Sequence, residues 1–229
     1  MDKQLPRPIK PTKKTSYHHG DLRSAIINAV AQLISEKNNL NFQLKEVAHL
    51  VGTSQPAIYK HFAGKADLLV ETAVEGYHLQ KQFRDHAFDV SDRSALTLLL
   101  AVSQAYVYFS QVHTGYFLLM KNLETEEILS SKVYRGLRDA TIKVVIGLIQ
   151  QCIDEGFFKE ENPKFIMTSL QSTAYGLAHL YITGQISNIE SNHEQDPSYA
   201  DKVLLVGMDA FMTAKGKREA GRIKRDLQP

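Results

Sequence analysis

The chain has 229 residues, 43% of them hydrophobic and 23% charged, with a formal net charge of +2. This is globular composition and excludes a disordered chain. The single cysteine, Cys152, excludes an internal disulfide, and its setting in VVIGLIQQCIDEGFF points to a buried helical thiol. No run approaches the ~18 uninterrupted apolar residues of a membrane span, and the N-terminus lacks an apolar signal core, so a cytoplasmic protein with no membrane partner is expected.

The charge is unevenly spread. Residues 1–65 carry ten Lys/Arg against four Asp/Glu, residues 66–214 eleven against nineteen, and residues 215–229 six against two. A basic head on an acidic body fits a nucleic-acid module joined to something else.

Residues 1–16 hold three prolines and five Lys/Arg and read as a flexible basic arm. From there on, apolar residues recur at spacings of three and four, with no sustained alternation and no Asn-Gly or Asp-Gly turn, so the fold class is all-α. A first helix starts near Asp21 and aligns Leu22, Ile26, Ala29, Val30, Leu33 and Ile34 until KNN stops it. A second, about Leu44 to Leu50, turns Leu44, Val47, Ala48 and Val51 inward, and Gly52 ends it. A third runs from about Gln55 to Phe62, with Pro56 in its first turn, where a missing amide costs little. A fourth carries Ala66, Leu69, Val70, Ala73, Val74 and Tyr77.

Further on, Ser91 is the expected cap of a helix through DRSALTLLLAVSQAYVYFSQVH. The stretch ILSSKVYRGLRDATIKVVIGLIQQCIDE reads as one long amphipathic element. Asn162-Pro163 opens another helix and Asp196-Pro197 the last of the body. The tail, residues 215–229, reads as a basic, solvated and frayed terminus.

Two short helices around a Gly-containing turn, behind an amphipathic helix and in a basic region, form a helix-turn-helix pattern. Ile58 and Phe62 must then pack inward, leaving Gln55, Ala57, Tyr59, Lys60 and His61 outward, with Ser54 placed to cap. The block YHHGDLRSAIINAVAQLISEKNNLNFQLKEVAHLVGTSQPAIYKHFAGKADLL resembles the DNA-binding domain of TetR-family transcriptional regulators. The resemblance implies a dimeric, all-helical regulator, with a DNA-binding domain over residues 17–65 and an effector and dimerisation domain over residues 66–214.

It also implies that Ser54, Gln55, Pro56 and Ala57 form the base-facing tip, with Tyr59, Lys60, His61 and Lys65 at positions that touch the DNA backbone. Gln can bond adenine's major-groove edge, Ala or Pro can meet a thymine methyl, and Tyr or Lys can meet phosphate. At Gln43 the chain departs from the family, which starts its second helix with a small hydroxyl residue that caps and touches phosphate. Tyr17, His18 and His19 are expected to lie in a solvated arm with occasional phosphate contact; they form no metal cluster.

AVSQAYVYFSQVHTGYFLLM and TSLQSTAYGLAHLYITG resemble the second domain of a TetR subgroup, without its Trp and with Tyr175 before Gly176. Tyr106, Phe109, Phe117, Met120, Tyr134, Tyr175 and His179 are candidates to line a pocket for an unidentified small-molecule effector, and plain core packing is the competing reading. Ala174, Gly176 and Ala178 thin one helix, and Val203, Val206 and Ala210 mark the last long one. These six are candidates for a homodimer interface, internal packing being the alternative.

No HExxH, GxSxG, P-loop or dinucleotide fingerprint is present, so neither a catalytic residue, a metal nor a cofactor is assigned. The expected function is a ligand-responsive repressor binding a palindromic operator as a dimer. The alternative is a small-molecule-binding helical bundle, a carrier or a cryptic enzyme, whose basic head is a solvated face.

Overall fold

The computed structural model describes residues 22–91, 94–192, 196 and 198–226. The arm, Asp21, Tyr17, His18, His19 and Pro197 fall outside the described residues. Among the described residues the chain is helical throughout, apart from an isolated antiparallel bridge between Phe158 and Met212.

The head comprises α1 (Leu22–Lys37), α2 (Leu44–Val51) and α3 (Gln55–Tyr59). The inward residues named from spacing are buried: Ile26, Val30 and Ile34 of α1, Val47 and Ala48 of α2, and Ile58 and Phe62. α4 (Lys65–Val90) begins at the end of the head and runs without interruption into the body. The boundary drawn between residues 65 and 66 therefore falls inside one continuous helix.

α5 (Ala95–Val112) folds back along α4. Its cap is Ser94, whose hydroxyl accepts from Thr97 N at 3.3 Å, whereas Ser91 closes α4. α5 is long and apolar enough to cross a membrane by length and composition, and it packs at the centre of the body. α6 (Thr114–Lys121) follows after His113, with Gly115 to Met120 all buried.

The long amphipathic stretch splits in two. α7 (Glu126–Ser130) ends and α8 (Lys132–Asp154) starts at Ser131, whose hydroxyl accepts from Tyr134 N at 3.3 Å. A side chain that competes for backbone bonds favours such a restart. Asn162 opens α9 (Pro163–Ile182) as expected, accepting from Lys164 N at 3.0 Å. After the short α10 (Ile186–Ile189), α11 (Tyr199–Asp209) follows a turn in which Asp196 accepts from Ser198 N at 3.0 Å.

The basic tail is not a frayed end. α12 (Ala214–Asp226) is helical and buries Ala220 and Ile223 on the body. Thr213 ties its start down: its amide donates to Phe157 O at 2.9 Å and its hydroxyl to Gly156 O at 2.7 Å. An apolar stripe at helical spacing inside a basic sequence explains the docking.

The buried side chains form two clusters. A proximal core joins α1–α4 to α6, α7, Phe109, Tyr134 and Ala178, and a distal core joins the rest of α5 to α8, α9, α11 and α12.

Candidate DNA interface and effector core

Gly52 adopts φ 72°, the left-handed conformation that costs a residue without Cβ least. The chain reverses there, Thr53 N donating to Ala48 O at 2.9 Å. Ser54 then caps α3, its hydroxyl accepting from Ala57 N at 3.3 Å, with Pro56 in the first turn. With Ile58 and Phe62 anchored beneath, Ser54, Gln55, Pro56, Tyr59, Lys60 and His61 lie exposed and Ala57 half-buried. Tyr59, at 53% exposure, is a large ring turned to solvent from a well-packed base.

Gln43 stands exposed before α2. Its amide N–H donates to Glu46 Oε1 at 2.7 Å, the reciprocal half of a capping box. Glu46 is also paired with Lys37, and that ammonium holds its carboxyl below the usual range. The loop is thus closed from the glutamate side, which makes a strong cap at residue 43 unnecessary.

Lys65, expected to touch the DNA backbone, is engaged within the head. Its ammonium donates to the carbonyls of Leu40 and, at 2.8 Å, Phe42, and lies 4.2 Å from the Phe42 ring centroid. Partial burial pushes its pKa down. The physical reason is local: the α1–α2 loop turns the carbonyls of Leu40 and Phe42 toward the start of α4, and the Phe42 carbonyl gains its donor from Lys65.

The effector candidates separate into two sets. Phe109, Phe117, Met120 and Tyr134 are fully buried or nearly so. Tyr134 is tied into the proximal core, donating to Met120 O at 3.1 Å, pairing with Glu124 and meeting Tyr77 edge-on at 5.1 Å. Burial pushes the Tyr77 hydroxyl up to about 12 and the Lys121 ammonium beside it down to about 8.

Tyr106, Phe117, Tyr175 and His179 form a continuous file of rings, with successive centroids 5.5, 6.1 and 6.2 Å apart. The Tyr106 hydroxyl and His179 Nδ1 are buried without a hydrogen-bond partner. A hollow of about 450 Å³ lies elsewhere, between α11 and α12 beside Leu205, Val206 and Ala210, and the aromatic candidates do not line it.

The interface candidates also separate. Ala174 and Ala178 are turned into the protomer's own core, a correction to the expectation that they face a second copy. Small residues lie on both sides of α9, and the inward ones let it approach its neighbours. Gly176, Val206 and Ala210 are exposed, Val206 at 69%, with Val203 half-buried. Phe165, 58% exposed at the start of α9, was not singled out from the sequence.

α6 joins these regions. A Cβ on Gly115 would stand 1.8 Å from Ala31 O, so α6 and α1 meet backbone to backbone. One residue later, the Tyr116 hydroxyl donates to Asn28 Oδ1 at 2.7 Å, and Phe117 reaches the ring file.

Residues 26–72 match the family model described as bacterial regulatory proteins, tetR family. The uncharacterized HTH-type transcriptional regulator YobS of Bacillus subtilis is 23% identical over 192 residues, covering 82% of this chain and 93% of that protein. The TetR family transcriptional regulator PfmR of Thermus thermophilus has the same fold at a TM-score of 0.61 and 20% identity, covering 82% of this chain and 96% of that one. The ketosteroid transcriptional regulator KstR2 of Mycobacterium tuberculosis does so at a TM-score of 0.65 and 16% identity, covering 86% and 97%. The matched segment takes in α2, the turn and α3, the elements whose geometry presents an exposed tip on a buried base, and the relatives are regulators rather than enzymes. Over residues 26–72 the chain is thus similar to the TetR family of bacterial regulatory proteins, and its fold is the one found in TetR-family transcriptional regulators.

Proposed function

We propose that the protein is a cytoplasmic, ligand-responsive repressor that binds a palindromic operator as a homodimer. The observation that carries this reading is α6, which puts Gly115 against the backbone of α1 and Phe117 against the ring file two residues on. A guest that spreads those rings displaces the helix on which the head rests. It shifts the equilibrium only by its differential affinity for the two arrangements.

The exposed strip of Phe165, Gly176, Val206 and Ala210 on α9 and α11 supports a two-fold interface. Such a dimer offers two α3 tips to successive major grooves, about 34–36 Å apart. Ser54, Gln55, Pro56 and Ala57 then meet base edges, and Tyr59, Lys60, His61 and Gln43 meet phosphates. Lys65 acts from behind by fixing the α1–α2 loop.

Footprinting on the DNA flanking its own coding region tests the reading, with the dimer mass measured by light scattering. The expected result is protection of an inverted repeat whose affinity falls steeply with salt. Protection of no site, or binding indifferent to salt, overturns it.

A further inference from the structure

Among the described residues, Gln80 Oε1, Arg84 Nε, the Tyr106 hydroxyl and His179 Nδ1 are buried polar atoms without a hydrogen-bond partner. Gln171 approaches the Tyr106 hydroxyl without closing a bond of ordinary geometry. Such atoms are rare in a native interior, because each forfeits its hydration for nothing.

Gln80 and Arg84 lie one turn apart on the same face of α4, Gln80 more than nine-tenths buried and the Arg84 side chain close to it. Arg84 is short of negative charge. Asp85 stands 3.9 Å from Nε and is also paired with Lys81, while across the helix interface Nη1 donates to Thr141 Oγ1 of α8 at 3.3 Å. A buried guanidinium is stable when an anion meets its fork, and a hydroxyl supplies only part of that.

The same face of α4 continues through Tyr77, and Tyr106 packs against the core cluster to which Tyr77 belongs. Tyr106 opens the file of rings that runs through Phe117 and Tyr175 to His179. A largely buried cation therefore lies about two turns along α4 from the cluster that the aromatic strip enters.

We propose that the effector is a small carboxylic acid with a flat apolar body, its carboxylate held between α4 and α8 by Arg84 and by Thr141, whose hydroxyl turns to it from the Leu137 carbonyl, and its body against Tyr106 and Phe117. Gln80 can turn either end of its amide to the guest. The rings are closely packed, so admitting the body moves them and α6 with them. This inference rests on the ligand-responsive reading above and names the class of ligand.

The test uses the full chain in a thermal-shift assay with benzoate, 4-phenylbutyrate and 2-naphthoate, their primary amides, and inorganic phosphate. At least one acid is expected to raise the melting temperature by about 5 °C at a hundredfold excess over its Kd. The matching amide should leave it unmoved. Arg84→Gln should weaken that acid at least tenfold, and Thr141→Val, at a half-buried position, should weaken it several-fold in a protein that still folds.

No shift with any acid, equal shifts with acid and amide, or an equal shift with phosphate overturns the inference. Operator binding measured on the same samples separates the two levels. An acid-selective shift without any DNA complex sinks the regulatory reading and leaves the site standing, whereas a DNA complex without acid binding sinks the site alone.

Discussion

In the proximal core, α1 to α4 share their buried side chains with α6, α7, Phe109, Tyr134 and Ala178, so the head is completed by residues from the body. The distal core, around α5, α8, α9, α11 and α12, contains nothing from the head. The two differ in what holds their elements at a distance. The proximal core has a backbone-to-backbone contact at Gly115 and a part-buried hydrogen bond from Tyr116 to Asn28, both between the head and the body. In the distal core the comparable close approach, Gly216 against the Phe157 carbonyl, and the bonds of Thr213 hold α12 to the end of α8 and involve nothing from the head. A head built into its neighbour in this way responds to the body's conformation, whereas a head on a linker would not.

The sharpest way to break this comparison is Phe117→Ala, which removes a fully buried ring from the proximal core. It should cost about 3–5 kcal/mol in urea denaturation, with head and body unfolding in one transition. Two separate transitions would mean that the head is an independent unit. Gly115→Ala should cost about 3 kcal/mol, the upper end of overpacking, because the obstructing atom is backbone. It should also weaken operator binding in a gel-shift assay beyond what the lost stability explains.

The distal core is addressed by Asp201, a buried carboxyl of α11 beside Gln104, Asp196 and Tyr181. Burial, with Asp196 adding to it, pushes its pKa up to about 6. An unfolded aspartate ionises near 3.8, so the unfolded chain gives up this proton first. Asp201 therefore makes stability fall as pH rises from about 4 through about 6, with no further change above. Asp201→Asn should remove that fall and raise stability by about 2–3 kcal/mol above pH 6, read from urea midpoints between pH 4 and 8. DNA affinity should stay unchanged, since the effect is confined to the distal core.

Two smaller effects belong to the DNA surface. Ser54→Ala should cost about 1 kcal/mol of stability by removing the cap of α3. Lys60→Ala should leave stability within about 0.5 kcal/mol, as befits an exposed site. It should also lower the salt slope of operator binding by about 1, measured by fluorescence anisotropy across a salt series.

The features legible in the sequence are those with local causes. Gly52, Ser54, Pro56, Asn162 and the inward faces of α1 to α3 follow from backbone preference and periodicity, and the structure places them accordingly. What escaped has causes far along the chain. The use of Gly115 depends on the carbonyl of Ala31, and nothing adjacent announces it. Ala174 and Gly176 are both small residues on one helix, and only the neighbours of α9 decide which faces in. The tail's positive charge hid the apolar stripe of Ala220 and Ile223. The buried shortage of charge at Arg84 likewise depends on Thr141 and Asp85 being its nearest partners.

The anchoring of Lys65 alters how the head's positive charge is to be counted. Arg23 is paired with Glu71 and lies over the Phe62 ring, Lys37 is paired with Glu46, and Lys65 serves two carbonyls. Three cations that would each be credited with releasing a counterion from DNA thus already have partners within the chain. Lys60, on the exposed rim, is the kind that displaces one. The ion stoichiometry of the complex will therefore be smaller than the head's formal charge suggests, and the geometry of the α3 tip correspondingly more decisive for which sequence is chosen.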